Sequence, residues 1–377
     1  CSLSFSLSLF GEVYFLFVVM GAKGSKGGGG KEKKEKGGGK APAKKPVNPA
    51  DLRLDYSSKD HAEIPLIACQ KEGAETIFLN GNKIETIRPE AAAWGPSLLA
   101  LYLENNQLKE LPVDVITKWE LLEEINLSNN QLDSVPDEIG EWKKMKSFFL
   151  NDMQIPKVPS TIGNWENLRV LQINNCGLEE LPDAVENFVN LTQAMLNGNN
   201  LKSLPAGVGK WSKMKKCFMN SNKLESLPAE IGGWTSVEKF YMNDNQLTTF
   251  PPEIGNCKNI VDFFANDNQL EVLPEELCTC PDIDKMQLNN NKLKALPESL
   301  DKMAMLELLY VNDNELEAFP AFSSNGKIKS LQFANNQVKA LPETWEQWSA
   351  LSELHCQGNG TEFTDEQKEK FPFIQAE

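Results

Sequence analysis

Ile77-Phe78-Leu79-Asn80-Gly81-Asn82-Lys83-Ile84 is the stretch that decides how this chain folds, because it returns. Written generally it is L-x-L-x-x-N-x-L-x-x-L-P. Later copies start at Leu101, Ile125, Phe148, Leu171, Ala194, Cys217, Phe240, Phe263, Met286, Leu309, Leu331 and Leu354, giving thirteen copies at intervals of 22 to 24 residues. Self-similarity at a fixed short period marks a stack of identical units, none of which buries its apolar face alone.

One copy can be read from elementary chemistry. The L-x-L step has a period of two, which predicts a short strand with both apolar residues facing inward. The Asn three positions after the second leucine ends the strand and offers its amide to backbone groups that burial would leave unpaired. Asn holds this place at 82, 106, 130, 199, 222, 245, 268, 291, 314, 336 and 359, while Met153 and Cys176 replace it in adjacent copies. Those two copies are expected to be locally less regular. The Leu-Pro pair begins the return, since Pro fixes φ and cannot extend a strand ladder. Trp94, Trp119, Trp142, Trp165, Trp211, Trp234 and Trp348 share one position of the return segment. An aromatic binding stripe would use such a row, but its constant phase favours core.

Stacked coils pair strand with strand into a curved parallel sheet. The expected fold class is α/β, a leucine-rich-repeat solenoid of about 13 repeats with short helical or irregular convex segments. The repeat domain spans residues 76–360. Residues 51–75 are read as an N-terminal cap, with Ser57 near the start of a capping segment. Residues 361–377 are read as a C-terminal cap closed by Phe363, Phe371, Phe373 and Ile374.

Ser134-Val135-Pro136-Asp137-Glu138-Ile139-Gly140, Leu227-Pro228-Ala229-Glu230-Ile231-Gly232 and Pro252-Glu253-Ile254-Gly255-Asn256-Cys257 carry a closer likeness. They resemble the intracellular leucine-rich-repeat proteins of the Ras-pathway scaffold type and the plant Ras-group-related type. The resemblance covers roughly residues 75–360 and implies protein binding in signalling without catalysis. It does not name a partner. The Cys-rich flanking caps of secreted relatives are not recognisable.

Charge divides the chain. Net charge is −15, yet residues 21–46 hold nine Lys and two acids, so that segment carries +7 and the remainder −22. An acidic body repels nucleic acid, so none is expected as a partner. Residues 20–50 read as a disordered Lys/Gly-rich tail. Residues 1–19 read as a leader of untranslated or non-native origin, lacking a basic n-region and carrying Glu12. If translation starts at Met20, Met20-Gly21-Ala22-Lys23-Gly24-Ser25 matches the pattern for myristoylation of Gly21. One acyl chain anchors only marginally, and nearby lysines add about 1 kcal/mol each at an anionic leaflet. An anionic membrane surface reached through residues 21–46 is therefore an expected partner, with a cytoplasmic location at its inner face.

On each strand the residues alternating with the leucines face the concave surface. Seven of the thirteen central positions are Phe or Tyr: Phe78, Tyr102, Phe149, Phe218, Tyr241, Phe264 and Tyr310. Phe218, Tyr241 and Phe264 fall on successive strands and predict an aromatic ladder. Beside them run Lys216 and Lys239, then Lys285, with Asp262 interrupting. On the other side lie an Asn column that includes Asn220, Asn243 and Asn266, and the acids Asp152, Asp244, Asp267 and Asp313. Aromatic anchors flanked by amides and charge suit a protein or peptide partner. Cross-strand support of the sheet is the competing reading, above all for the Asn column.

Catalytic and metal constellations are not found, and no cofactor is expected. His355 adjoins Cys356, but neighbouring strand residues point to opposite faces, which argues against a dyad. Cys278-Thr279-Cys280 lacks companions for a zinc site, and Cys280 falls where Trp stands elsewhere. The eight cysteines lack disulfide-framework spacing, which suits a reduced compartment. Asn126, Asn190 and Asn359 begin glycosylation sequons that such a compartment leaves unused. The function expected is a non-catalytic scaffold or adaptor in intracellular signalling. Two alternatives remain open: a secreted or cell-surface recognition receptor using residues 1–20 as a signal peptide, and a regulatory subunit of an enzyme complex.

Overall fold

The structure is a computed structural model that describes residues 52–320, 327–372 and 374–375. The leader, the Lys/Gly tail and Gly21 lie outside the described residues.

A single sheet runs the length of the repeats. Its strands are β1 (Arg53–Asp55), β2 (Thr76–Phe78), β3 (Ala100–Tyr102), β4 (Glu124–Asn126), β5 (Ser147–Phe149), β6 (Val170–Gln172), β7 (Gln193–Met195) and β8 (Lys216–Phe218). It continues through β9 (Lys239–Tyr241), β10 (Asp262–Phe264), β11 (Lys285–Gln287), β12 (Leu308–Tyr310), β13 (Ser330–Gln332), β14 (Glu353–His355) and β15 (Ile374–Gln375). Their order is sequential and every pair is parallel. The register has no stagger, so Cys217 faces Phe240 and Phe218 faces Tyr241. Identical coils of constant length leave no other alignment that keeps every apolar residue inside. Each of the thirteen repeats supplies one strand, and β1 and β15 extend the sheet at its ends.

The core is continuous from Ile64 to Phe371, with the strand residues Ile77, Leu101 and Phe240, and Leu79, Leu103 and Met242 just past the strands, fully buried. Trp94, Trp119, Trp142, Trp165, Trp211 and Trp234 are buried as expected, at 0–1% exposure. Each indole N–H donates to a carbonyl of the preceding coil, as Trp142 does to Ile116 O and Trp165 to Ile139 O, both at 3.0 Å. Cys257 and Cys280 take the same position, and their thiols donate to Ile231 O and Ile254 O.

The strand-ending asparagines hold the coils together. Asn245 Nδ2 donates to Met242 O in its own coil at 3.1 Å and to Met219 O in the preceding one at 3.0 Å. Its Oδ1 accepts from Leu224 N at 3.1 Å. Asn82, Asn106, Asn222, Asn268, Asn291, Asn314, Asn336 and Asn359 bond in the same way. Of the two exceptions, the Cys176 coil exchanges its bonds locally. Cys176 Sγ donates to Leu150 O at 3.0 Å, in place of an amide. Ile155 N, which would meet an asparagine Oδ1, turns to the backbone Cys176 O at 2.8 Å. At Cys176 the expected irregularity takes the form of an exchange of bonds, and the pairing of β5 with β6 is undisturbed.

Just past each strand the chain enters the left-handed region. Asn105, Asn129, Asp152, Asn175, Ser221, Asp244, Asp267, Asn290, Asp313 and Asn335 all have φ between 54 and 58°, and Gly81, Gly198 and Gly358 fill the same position elsewhere. Small polar residues and glycine tolerate this conformation best. On the convex side, most returns are single 3-10 turns such as Asp137–Glu141 and Pro252–Asn256. The glycine of the Glu-Ile-Gly motif is a packing requirement there. A Cβ on Gly140 would sit 2.5 Å from Thr161 Cβ, and one on Gly255 would sit 2.7 Å from Glu276 O.

The ends differ from expectation in detail. No helix starts at Ser57; its N–H and Oγ both donate to Asp55 Oδ1, and the first helix, α1 (Leu66–Cys69), follows Pro65. At the other end, Thr364 and Gln367 form a capping box for a short helix at Asp365–Lys370. Phe371 is buried, and Phe363 and Ile374 pack half-buried against the core. Phe373 lies outside the described residues.

The turn position yields a stability prediction. Asp244→Gly and Asp267→Gly should change unfolding free energy by no more than about 0.5 kcal/mol. Asp244→Val should lower it by about 1–2 kcal/mol, because a β-branched side chain resists positive φ. Denaturant titration of the purified variants checks this, and a Val variant as stable as the Gly variant contradicts it.

Candidate functional site

The strongest surface feature is a strip on the concave face of β8 to β11. Alternation along each three-residue strand places Cys217, Phe240 and Phe263 in the core and sends Phe218, Tyr241 and Phe264 to the other face. Zero stagger then brings the rings into register. Phe218 stacks on Tyr241 with centroids 4.7 Å apart and planes within 17°, and Tyr241 on Phe264 at 4.6 Å and 13°. All three are half-buried, each keeping part of its surface open to the concave side. Buried Met195 on β7 borders the row at one end, and Gln287 on β11 at the other.

One carboxylate organises the edge of the strip. Asp262, only 7% exposed, accepts a hydrogen bond from Tyr241 Oη at 3.1 Å through Oδ2. Lys239 Nζ lies 3.9 Å from Oδ2, and Lys285 Nζ lies 3.6 Å from Oδ1. Oδ1 itself accepts no hydrogen bond. Burial, and then the negative charge of Asp262, pushes the Tyr241 hydroxyl well above its ordinary range, so it stays a donor. Lys216 continues the cationic row one strand further.

On the opposite side of the rings the Asn column forms a rail. Asn174 N and Nδ2 both donate to Asn151 Oδ1, at 2.9 Å each, and the same pair of bonds links Asn197, Asn220, Asn243, Asn266 and Asn289 in turn. Ser128 Oγ starts the rail, accepting from Asn151, and Asn312 ends it. Asn220, Asn243 and Asn266 are therefore tied to one another across the sheet; Asn266 Nδ2 also donates to Gln287 Oε1 at 3.2 Å. Asp244, Asp267 and Asp313 follow in the left-handed position, which accounts for their small polar character independently of any partner. Asp267 and Asp313 each accept from an asparagine of the next coil, Asn290 and Asn335, at 2.7 Å.

The structure thus gathers Phe218, Tyr241, Phe264, Lys216, Lys239, Asn220, Asn243, Asn266, Asp244 and Asp267 into one patch. It leaves Phe149 and Tyr310 apart from the stack, half-buried on β5 and β12 with Asn126, Gln172, Gln287 and Gln332 as their strand neighbours. The sequence reading passed over two features. Asp262 looked like an interruption of a lysine column, although an acid one strand from Tyr241 was the available signal. A second stack joins Phe78 and Tyr102 at 4.8 Å, with the Arg53 guanidinium 4.9 Å from the Phe78 ring and Tyr102 Oη donating to Glu124 Oε1 at 2.5 Å.

Elsewhere the chemistry is that of packing. Cys356 is buried while His355 faces outward, with Nε2 3.1 Å from Glu353 Oε1, so the two do not form a dyad. Burial pushes the Cys278 thiol up to about 12 and Cys280 to about 11. Among the described residues no three His, Cys, Asp or Glu side chains gather as a metal site, and no helix is long and apolar enough to cross a membrane.

The model of the Leucine Rich Repeat family matches residues 121–142, the β4 coil. Among curated proteins none matches the sequence. Solved structures do. A leucine-rich-repeat protein of Leptospira interrogans is 26% identical with a TM-score of 0.59, over 88% of this chain and 96% of its own. A plant peptide hormone receptor, RGFR1, in complex with RGF2 is 21% identical with a TM-score of 0.66, over 81% of this chain and 55% of its own. Toll in the Drosophila Toll–Spatzle complex is 19% identical with a TM-score of 0.71, over 81% and 44%. The chain spans nearly the whole of the bacterial protein and about half of each receptor. With the thirteenfold repeat, the unbroken parallel sheet and these likenesses together, the chain is a leucine-rich-repeat protein.

Proposed function

We propose that this protein is a non-catalytic scaffold or adaptor of intracellular signalling, of the Ras-pathway scaffold type, that holds a protein partner against the concave face of β8 to β12. The aromatic strip carries the reading. Three stacked, half-exposed rings with a charged border are what a hot spot needs: rigid apolar area beside polar groups that fix orientation. A curved solenoid wall is a surface that repeat proteins use for binding. Two of the similar structures, by their descriptions, are complexes, one with RGF2 and one with Spatzle.

Location is part of the proposal. The seven described cysteines are all free and buried, which suits a reducing compartment. Two of the three sequon asparagines, Asn126 and Asn359, are 8% and 2% exposed and hydrogen-bonded within the fold. They are poor glycan acceptors, which favours the intracellular scaffold over the secreted receptor. Gly21 acylation with the Lys tail would hold such a scaffold at the inner face of a membrane.

Two measurements test these readings. Replacing Phe218, Tyr241 and Phe264 together with Ala should weaken an affinity-purified, identified partner at least about a hundredfold in direct titration, as loss of central anchors does. Undiminished affinity in a folded triple variant contradicts the concave-face assignment. Mass spectrometry of the protein isolated from its own cells should find an N-terminus at Gly21 carrying a myristoyl group. A chain cleaved near residue 20 and bearing glycans supports the receptor instead.

A further inference from the structure

Most lysines that flank the strands are consumed by neighbours. Lys146 Nζ lies 2.7 Å from Glu123, Lys215 Nζ 2.8 Å from Glu238 and Lys329 Nζ 2.6 Å from Glu307. The lysines beside the aromatic strip behave differently. Lys239 and Lys285 approach only Asp262, at 3.9 and 3.6 Å, beyond good hydrogen-bond distance, and their side chains are 47% and 41% exposed. Lys216, on the next strand, makes no ion pair among the described residues. On a chain of net charge −15, three underused ammoniums line one edge of the best anchor surface.

We infer that the concave face of β8 to β11 is built for an acidic segment of a partner protein, which lays apolar side chains on Phe218, Tyr241 and Phe264 and sets carboxylates against Lys216, Lys239 and Lys285. This rests on the concave-face reading above and supplies the chemistry of the occupant. Asp262 is the positioning residue. It is too buried to meet a partner broadly, and its bond from Tyr241 Oη fixes it between the two lysines. It keeps both ammoniums at the ring edge without using up their donors. A partner carboxylate over Lys239 and Lys285 replaces water with charge-assisted bonds at a half-buried site.

The geometry also orients the occupant. Acids lie on the far side of the rings, at Asp244 and Asp267, five residues beyond the lysine row, or about 16 Å at 3.3 Å per residue. The partner's carboxylates therefore point toward the N-terminal ends of the strands. Steps of about 4.8 Å between strands suit side chains three or four apart on a helix, which lie about 5–6 Å from one another. A basic segment in the same place would meet three ammoniums.

The test uses the full chain and fluorescein-labelled synthetic helical peptides with Leu and Phe on one face. Their flanking positions are Glu, Gln or Lys, and binding is read by anisotropy at low salt and again with added NaCl. The Glu peptide should bind, weaken with salt, and lose at least about tenfold in affinity when flanked by Gln or when the protein carries Lys239→Glu with Lys285→Glu. Circular dichroism verifies that the double variant is folded, and Lys239→Gln with Lys285→Gln serves as a milder substitute. Equal or tighter binding of the Lys peptide, no binding of the Glu peptide, or unchanged binding to the folded double variant overturns the inference. The two readings separate with the identified partner. Loss in the triple aromatic variant with full retention in the lysine variant keeps the face and discards the charge assignment. Retention in both discards the face itself.

Discussion

A backbone that turns inward at every repeat must hide amide and carbonyl groups that water can no longer reach, and in eleven of the thirteen coils one asparagine side chain satisfies them. Each buried group left unpaired would cost about 1–3 kcal/mol, and a single asparagine answers for three. Asn245 serves Met242 O, Met219 O and Leu224 N, spanning two coils with one amide. Because the bonds run between coils, no coil is complete alone. Strand register, core continuity and the concave wall all follow from that dependence.

The convex side solves the same problem with different atoms. Indole N–H groups reach back one coil to a turn carbonyl, and at Cys257 and Cys280 thiols do so in place of Trp. Met153 and Cys176 show how much deviation the stack absorbs. At Cys176 a thiol and a redirected amide take over, and across both coils neighbouring strands stay in register. The concave side is where the chain has freedom. Nothing in the stack requires Phe, Tyr or Lys at the outward positions of β8 to β11, so their presence there is the informative departure from a bare solenoid.

Much of this was legible before any coordinates. The phase of the leucines placed every strand of the thirteen repeats, and the constant phase of the tryptophans placed them in the core. The aromatic ladder followed from alternation and spacing alone. What stayed hidden depended on atoms rather than patterns. The acids past each strand read as a charged border, whereas φ near 55° explains the small polar residues there. The hydrogen bonds that tie Asn220, Asn243 and Asn266 into a rail could not be told from a contact column by spacing alone. Asp262 was concealed because its significance lies in a tyrosine hydroxyl reaching across from the neighbouring strand. The end strands β1 and β15 carry no repeat signature.

The dependence of one coil on the next can be measured at single amides. Residue-resolved hydrogen exchange on the intact chain and on Asn245→Ala asks whether the asparagine amide is what closes adjacent coils. One protected block is expected across the strands, and in the variant at least about tenfold faster exchange at Leu224 and at the β8 and β9 amides. Unchanged protection at Leu224 in a folded Asn245→Ala chain would contradict it.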